Sequence, residues 1–565
     1  MSRQLREFIV GRTDAESGAG ASATVGMLGD ALRPRFELGA GRSATVRHVW
    51  LDTFDWRLHR AGVSLEYSIS RGAHRLSLLT RDSVQADTAV PRLSLPALTE
   101  QLPAGPLREH LAPIMGIRAL LPIVSFAGTT REVRVLDTER KTIAYLTVDE
   151  AAARRPLATA WGPHATAPGS DATAPGSDAT APGSHATGSH ATALAPRIRI
   201  AAVRGYDAQA DRVERLIGGL PGVAAAAESA FHAAAQAAGM ATPGYTNRVD
   251  VALAPSMAAG PALARVLLRL LDTAQANVDG AVRDADTEFL HDLRVAVRRT
   301  RAALKLAGDA LPDGVAARFA AEFGWLGQLT TPTRDLDVHL LGFDAAAAGL
   351  ATAAPADLEP LRASLLRYRA AERRRLIRGL RSARFTSLTS DWRAALSEVR
   401  AAGDEAARRP GPTTHVPIAD LAATRTRRAY ARLVRTGSAV TPAADEDQLH
   451  LVRKRGKELR YVLEFFATLY EPAIHRSAVR ELKQLQDCLG DIQDGHVQRE
   501  AIRALAERMV AEHAAPAATL LAMGELAAQL DATASRARGD FARRFAQFTS
   551  PRNTRRLALL AEVAA

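Results

Sequence analysis

Cysteine is almost absent. A single thiol, Cys488, stands in 565 residues, which excludes an internal disulfide and any multi-cysteine zinc site and leads to the expectation of a reducing compartment, the cytoplasm. Aromatic residues are only 5% of the chain. Long apolar runs are missing too: even the alanine-rich stretch 223–241 carries Glu228, His232 and Gln236, and no window approaches the roughly 20 apolar residues of a membrane helix. The opening MSRQLREFIVGRTDAE scatters charges through its first turns in place of the apolar core of a signal peptide, so a soluble chain with no membrane partner is expected. There is no Gly-x-x-x-x-Gly-Lys-Ser/Thr loop, no Gly-x-Ser-x-Gly elbow and no His-Glu-x-x-His pair. The commonest phosphate-loop, serine-hydrolase and zinc-protease chemistries therefore have no motif, and neither a cofactor nor a metal is expected.

What is abundant is positive charge. Lys and Arg number 73 against 61 Asp and Glu, a formal charge of +12, and the sequence pI is about 10.3. That balance favours a polyanionic partner: nucleic acid, a phosphate polymer or an anionic surface.

Two halves differ in pattern. The first reads as mixed α and β, with short alternating or β-branched runs such as TVRHVWLDT, GVSLEYSIS, HRLSLLTR, KTIAYLTVD and PRIRIAAVRGY. An Ala/Thr/Pro/Gly/Ser insertion at about 156–196 interrupts it; its core repeats ATAPGSD, and such a composition cannot pack. The segment 213–239 reads as helix, closing a domain over 1–239. A connection over 240–256 follows, and from 257 to 548 the sequence is a series of amphipathic helices. Expected breaks include one between 330 and 334 and one between 489 and 492, and 549–565 is read as a tail.

The helical half repeats. Shifting 290–338 forward by 159 residues aligns it without a gap on 449–497, with nine identities in 49 positions. Leu290, His291, Arg294, Arg301, Leu304, Glu322, Leu326, Asp335 and Val338 all recur. Two copies of one helical unit, 257–404 and 415–548, are therefore expected. In LHDLRVAVRRTRAALK, positions 0, 3, 7, 10 and 14 from the histidine share an arc of roughly 80° on a helix; they hold His291, Arg294, Arg298, Arg301 and Lys305. The second copy places His450, Arg453, Lys457 and Arg460 there, with Glu464 last. Arg425, Arg428, Arg432 and Arg435 share another face, as do Arg367, Arg374, Arg378 and Arg381. Unpartnered like charges at i, i+3 and i+4 repel by a few tenths of a kcal/mol per pair, and phosphate matches guanidinium forks. A solvated basic face, and histidines bonded inside the bundle, are the competing readings. Asp335 and Asp494 suit a structural pairing better than catalysis.

HDLRVAVRRTRAALK with WLGQLTTPTRDLDV, and HLVRKRGKELRYVLEFF with LKQLQDCLGDIQDGHV, resemble the CHAD family, the conserved histidine α-helical domain. The resemblance implies a duplicated helical bundle that binds inorganic polyphosphate on a basic central surface and is associated with polyphosphate granules. His291, Arg294, Arg298, Arg301, His450, Arg453, Lys457 and Arg460 would line that surface, with Lys305, Arg374, Arg378, Arg381, Arg428 and Arg432 as further contacts. Glu458 and Glu464, opposite Arg299 and Lys305, weaken the second copy. WLDTFDWRLHRAGVSLEYS is similar to the signature of the CYTH family, whose fold is a triphosphate tunnel built as an antiparallel barrel. Its metal-holding Glu-x-Glu-x-Lys strand is reduced here to Glu7. Glu66 and Ser68 stand where Arg-x-Arg is expected, Ser77 where a lysine is, and Arg and Ile of PRIRIAAVRGY where paired glutamates are. Arg131, Arg134 and Asp149 read equally well as surface positions. A degenerate, non-catalytic domain is expected. A CYTH-type triphosphate or polyphosphate hydrolase and a nucleic-acid binder stand as the alternatives, the second disfavoured by the scarcity of aromatics on the basic faces.

Overall fold

The computed structural model describes residues 3–4, 6–11, 21–33, 35–80, 83–154, 192–240, 244–312, 314–408, 416–441 and 444–563. The insertion between 156 and 191 lies outside them, with His164, His185 and His190. The chain divides into two compact units, Met1–Thr246 with Arg283–Glu288, and Asn247–Val282 with Phe289–Ala565.

The first unit is built on a curled antiparallel sheet of 12 strands: β1 (Arg3–Gln4), β2 (Arg6–Val10), β3 (Glu37–Leu38), β4 (Arg42–Thr53), β5 (Ser64–Ser70), β6 (Ala73–Leu79), β7 (Ser83–Val90), β8 (Leu120–Leu136), β9 (Thr142–Arg154), β10 (Thr192–Ala193), β11 (Arg197–Ala202) and β12 (Val223–Ala225). The main path runs β1-β7-β6-β5-β4-β8-β9-β11-β2-β12, with β10 on β9 and β3 on β8. The sheet curls into a half-barrel consistent with a tunnel-like domain: β1 pairs β7 at one margin, and β2, which follows it in the chain, pairs β11 toward the other. Five helices pack on it: α1 (Ala21–Leu32), α2 (Arg57–Arg60), α3 (Pro106–Met115), α4 (Asp207–Gly218) and α5 (Ala230–Ala237).

Alternation along the strands decides which residues meet which layer. Ile198 and Ile200 of β11 enter a core with Leu146, Val148, Leu28, Leu32, Val213 and Ile217, and Leu65 and Tyr67 of β5 pack with Leu107, Leu111 and Met115 of α3. Their neighbours Arg197, Arg199 and Glu66 face the opposite side. There, Trp50, Val124 and Phe126 meet Phe231 and Ala234 of α5. The single helix expected over 213–239 is corrected to α4, β12 and α5. Gly218, Gly219, Pro221 and Gly222, the last at φ +75°, end α4 and turn the chain into β12.

The second unit is helical: α6 (Ala259–Arg283), α7 (Thr287–Ala307), α8 (Val315–Leu341), α9 (Phe343–Ala348), α10 (Glu359–Leu380), α11 (Ala383–Arg408), α12 (Ile418–Ser438), α13 (Glu446–Phe465), α14 (Pro472–Ala511), α15 (Ala517–Phe548) and α16 (Pro551–Val563). Helices starting at 259, 287, 315 and 359 have counterparts starting at 418, 446, 472 and 517, offsets of 157 to 159 residues. The duplication is thus structural as well as sequential.

Three expectations are corrected. α8 runs through Pro332 because Thr330 and Thr333 are buried and the hydroxyls of Thr330 and Thr331 donate back to the carbonyls of Leu326 and Gly327 (2.9 and 2.7 Å), so packing outweighs the proline penalty. α14 is continuous across Gly490. The expected tail is helix α16, pinned by buried Asn553, Leu557 and Leu560 and by a 2.7 Å bond between the hydroxyls of Tyr430 and Thr554.

Candidate functional site

Along α7 the apolar stripe Leu290, Leu293, Val297 and Leu304 is buried, which turns the basic stripe away from the core. α13 does the same with buried Leu449, Val452, Leu459 and Val462. The two basic stripes converge on two adjoining cavities within the helical unit. One, of about 330 Å³, is lined by His291, Arg298, Arg299, Arg453, Lys457 and Arg460, with Tyr461 and Glu464. The other, of about 280 Å³, is lined by Arg298, Arg301, Lys305, Arg428, Arg432 and Lys457, with Arg425 and Lys454 beside them. Arg298, Lys457 and Tyr461 belong to both walls. The result is one groove floored by α7, α12 and α13.

The cations divide by partner. Arg299 donates to Glu464 Oε2 through Nε (3.0 Å), and Arg460 Nε donates to Glu464 Oε1 at 2.6 Å. Arg455 grips Glu458 through one nitrogen at 2.8 and 3.0 Å. The two acidic replacements in the second copy therefore neutralise protein cations. In contrast, Arg301, Lys305, Arg428, Arg432, Lys454 and Lys457 make no hydrogen bond or ion pair with a described residue. Burial, and then the neighbouring charges of Arg453 and Arg298, push Lys457 down to about 8, against the weaker pull of Asp494.

Arg294 and Arg453, expected as ligands, are tied into the protein at equivalent points. Arg294 Nη1 donates to Thr331 Oγ1 (2.6 Å); burial lowers its pKa, with Asp335 opposing. Arg453 donates to the carbonyls of Leu489 and Gly490 (3.2 and 3.0 Å) and to Asp494 (3.0 Å). Asp494 is thus a partner of Arg453, while Asp335 acts on Arg294 through its charge. Arg453 still lines a cavity, whereas Arg294 lines neither. His291 lines the larger of the two cavities, with Arg298. Its counterpart His450 lines neither cavity and holds Gln493 Oε1 at 2.6 Å. Arg374, Arg378 and Arg381 on α10 line neither cavity, nor does Arg435 of α12. Sequence reasoning missed Lys454 and Asn247 as lining residues. Lys454 lies one turn before Lys457 and was findable; Asn247, whose amide donates to Asp292 (3.0 Å), reaches the wall from outside any helix and left no periodic signal.

In the first unit the same accounting gives the opposite result. The polar face of the sheet carries Glu7, Glu66, Asp87 and Asp149, and each has a cross-strand cation. Arg197 donates to Glu7 (2.6 Å), Arg199 to Asp149 (2.6 Å), Arg75 to Asp87, and His48 Nδ1 meets Glu66. Burial would raise Glu66, but the charge and hydrogen bond of His48, with Arg199 behind them, hold its carboxyl at about 2. Of the residues whose placement the sequence leaves open, Asp149 is buried and Arg134 is exposed. Ser77 donates to Asp87 (3.1 Å). A divalent cation held as in a triphosphate tunnel needs carboxylates open to it. These are already paired, Trp50, Phe126 and Phe231 pack on the adjoining face beside a cavity of about 670 Å³ that Asp149 and Arg197 line, and among the described residues no group of three or more His, Cys, Asp or Glu could hold a metal. The site does not fit one.

Residues 265–503, within the helical unit, match the CHAD domain family. Among solved structures, the CHAD domain from the plant Ricinus communis is 26% identical, with a TM-score of 0.42, over 51% of this chain and 95% of that one. PptA from Streptomyces chartreusis is 18% identical, with a TM-score of 0.38, over 51% of this chain and 99% of that one. No curated protein matches the chain. Among the described residues no helix is long and apolar enough to cross a membrane.

Proposed function

We propose that the protein binds inorganic polyphosphate in the groove between α7, α12 and α13 and through it associates with polyphosphate granules. The observation that carries this reading is the set of cations with no protein counterion that α7, α12 and α13 bring to one cavity, two of which, Arg298 and Lys457, also line the next. A chain of phosphates running through both would meet Arg298 and Lys457 at the centre, His291, Arg453 and Arg460 on one side, and Arg301, Lys305, Arg428 and Arg432 on the other. The first copy supplies the stronger contacts, since Glu464 already occupies Arg460. Arg294 positions α7 on α8 and His450 braces α13 on α14. The first unit is a non-catalytic half-barrel on this reading, its carboxylates held by its own arginines.

A competition experiment tests the polymer. Polyphosphate should displace labelled DNA far more readily than DNA displaces polyphosphate at matched charge, and both should weaken steeply with salt. If DNA prevails, the groove is a nucleic-acid site. Phosphate release with Mg²⁺ or Mn²⁺ should stay at background; turnover abolished by Glu7→Gln would make the first unit a hydrolase.

A further inference from the structure

The arginines of α10 fall into two groups that composition alone does not separate. As far as Arg373 all are partnered. Arg362 meets Asp344, Arg367 donates to Glu512 (2.6 Å), Arg369 to Asp337 (2.5 Å), and Arg373 to the carbonyls of Ala281 and Val282 (both 3.2 Å). In the last two turns Arg374, Arg375, Arg378 and Arg381 are all exposed, and none makes a hydrogen bond or ion pair with a described residue. The exposed positions of this half, from Ala370 onward, include no acid and no aromatic residue. Arg384, one turn on, is taken by Glu322 (2.8 Å).

This cluster is separate from the groove. α8 lies between them: Thr330 and Thr331 meet Arg294 of α7, whereas Asp337 receives Arg369 of α10 and Leu329 packs where Gly379 leaves room for it. Cations near a helix C-terminus are favoured by the helix dipole, but that effect does not call for four on one exposed strip about 10 Å long, where mutual repulsion works against them.

We infer that the C-terminal half of α10 is a second polyphosphate-binding surface, so that one molecule holds two segments of polymer and long chains become cross-linked. The inference rests on the groove reading for the identity of the polymer. Exposed guanidiniums without aromatic neighbours suit a bare phosphate backbone better than stacked bases. Two sites on one body convert the second binding step into an intramolecular one when the polymer is long enough to span both.

The test uses the full chain and a variant with Arg374, Arg375, Arg378 and Arg381 all changed to Ser, positions exposed enough for the helical circular dichroism to be kept. Short polyphosphate that fills only the groove should bind the variant within twofold of the original. Long polyphosphate should bind it at least fivefold more weakly, and the rise in light scattering seen when the original protein is mixed with substoichiometric long chains should disappear. Unchanged scattering and unchanged long-chain affinity would overturn the inference. So would a variant that loses DNA binding alone, which would assign α10 to nucleic acid. If short chains fail to bind the original protein, the groove reading falls; a long-chain loss in the variant would still uphold the α10 surface.

Discussion

The polar face of the half-barrel and the groove of the helical unit both collect charged side chains, yet they have opposite characters. On the sheet, Arg197, Arg199, Arg75 and His48 each meet a carboxylate on another strand. In the groove, Arg301, Lys305, Arg428, Arg432 and Lys457 meet none. The number of cations does not separate the two; the presence or absence of an internal counterion does. A buried pair is costly to break because one charge is stranded, whereas an unpartnered cation leaves its desolvation to be offset by a ligand.

Breaking a pair on the sheet should give the largest effect. Arg197→Met strands Glu7, both side chains being about nine-tenths buried, and should destabilise the first unit by about 3–5 kcal/mol, read as an earlier first transition in denaturant with polyphosphate affinity unchanged. A tighter or weaker binder without loss of stability would erase the contrast. Removing two cations that have no carboxylate partner among the described residues, Arg298→Ala with Lys457→Ala, should do the reverse: about 100-fold weaker binding, from charge-assisted bonds of roughly 1.5–3 kcal/mol each, with a melting temperature that does not fall.

Lys457 gives a pH test. Its folded value of about 8 lies below the ordinary 10.5, so the unfolded chain holds this proton more tightly. Below about pH 8 the charged lysine therefore costs stability, and the cost fades as pH rises through the folded value toward the unfolded one. Anion binding restores the proton's affinity, so polyphosphate affinity should fall about tenfold between pH 7 and 9.5, with proton uptake in calorimetry, and Lys457→Arg should flatten the profile. The smallest effect sharpens the comparison inside the groove. Arg460→Gln, whose partner Glu464 is already present, should weaken binding by about threefold or less, against about tenfold for Arg301→Gln. Equal losses would mean that the protein counterion makes no difference.

The helical half, the 159-residue duplication and the stripes of α7 and α13 were readable because each follows from periodicity along one element. Partners across elements were not. Nothing within LHDLRVAVRRTRAALK tells Arg294, bound to Thr331 on α8, from Arg301, which faces the groove, because both sit on the same arc. The α10 arginines joined the expected site for the same reason: a helix face is visible in sequence, but the neighbour it points toward is not. On the sheet, the departures of PRIRIAAVRGY from a tunnel pattern were legible. That its arginines would pair with Glu7 and Asp149 depended on a register between strands far apart in the chain. Pro332 and the residues after 549 misled because local stop signals lost to burial.

The two copies agree in their helix starts but not in their joints. The first breaks at Gly342 between α8 and α9, whereas α14 continues for 40 residues without a break, a rod of about 60 Å. Mechanically, the first copy has a joint beyond α8 where the second has a single stiff rod, and that rod carries the carbonyls of Leu489 and Gly490 to which Arg453 of α13 is tied.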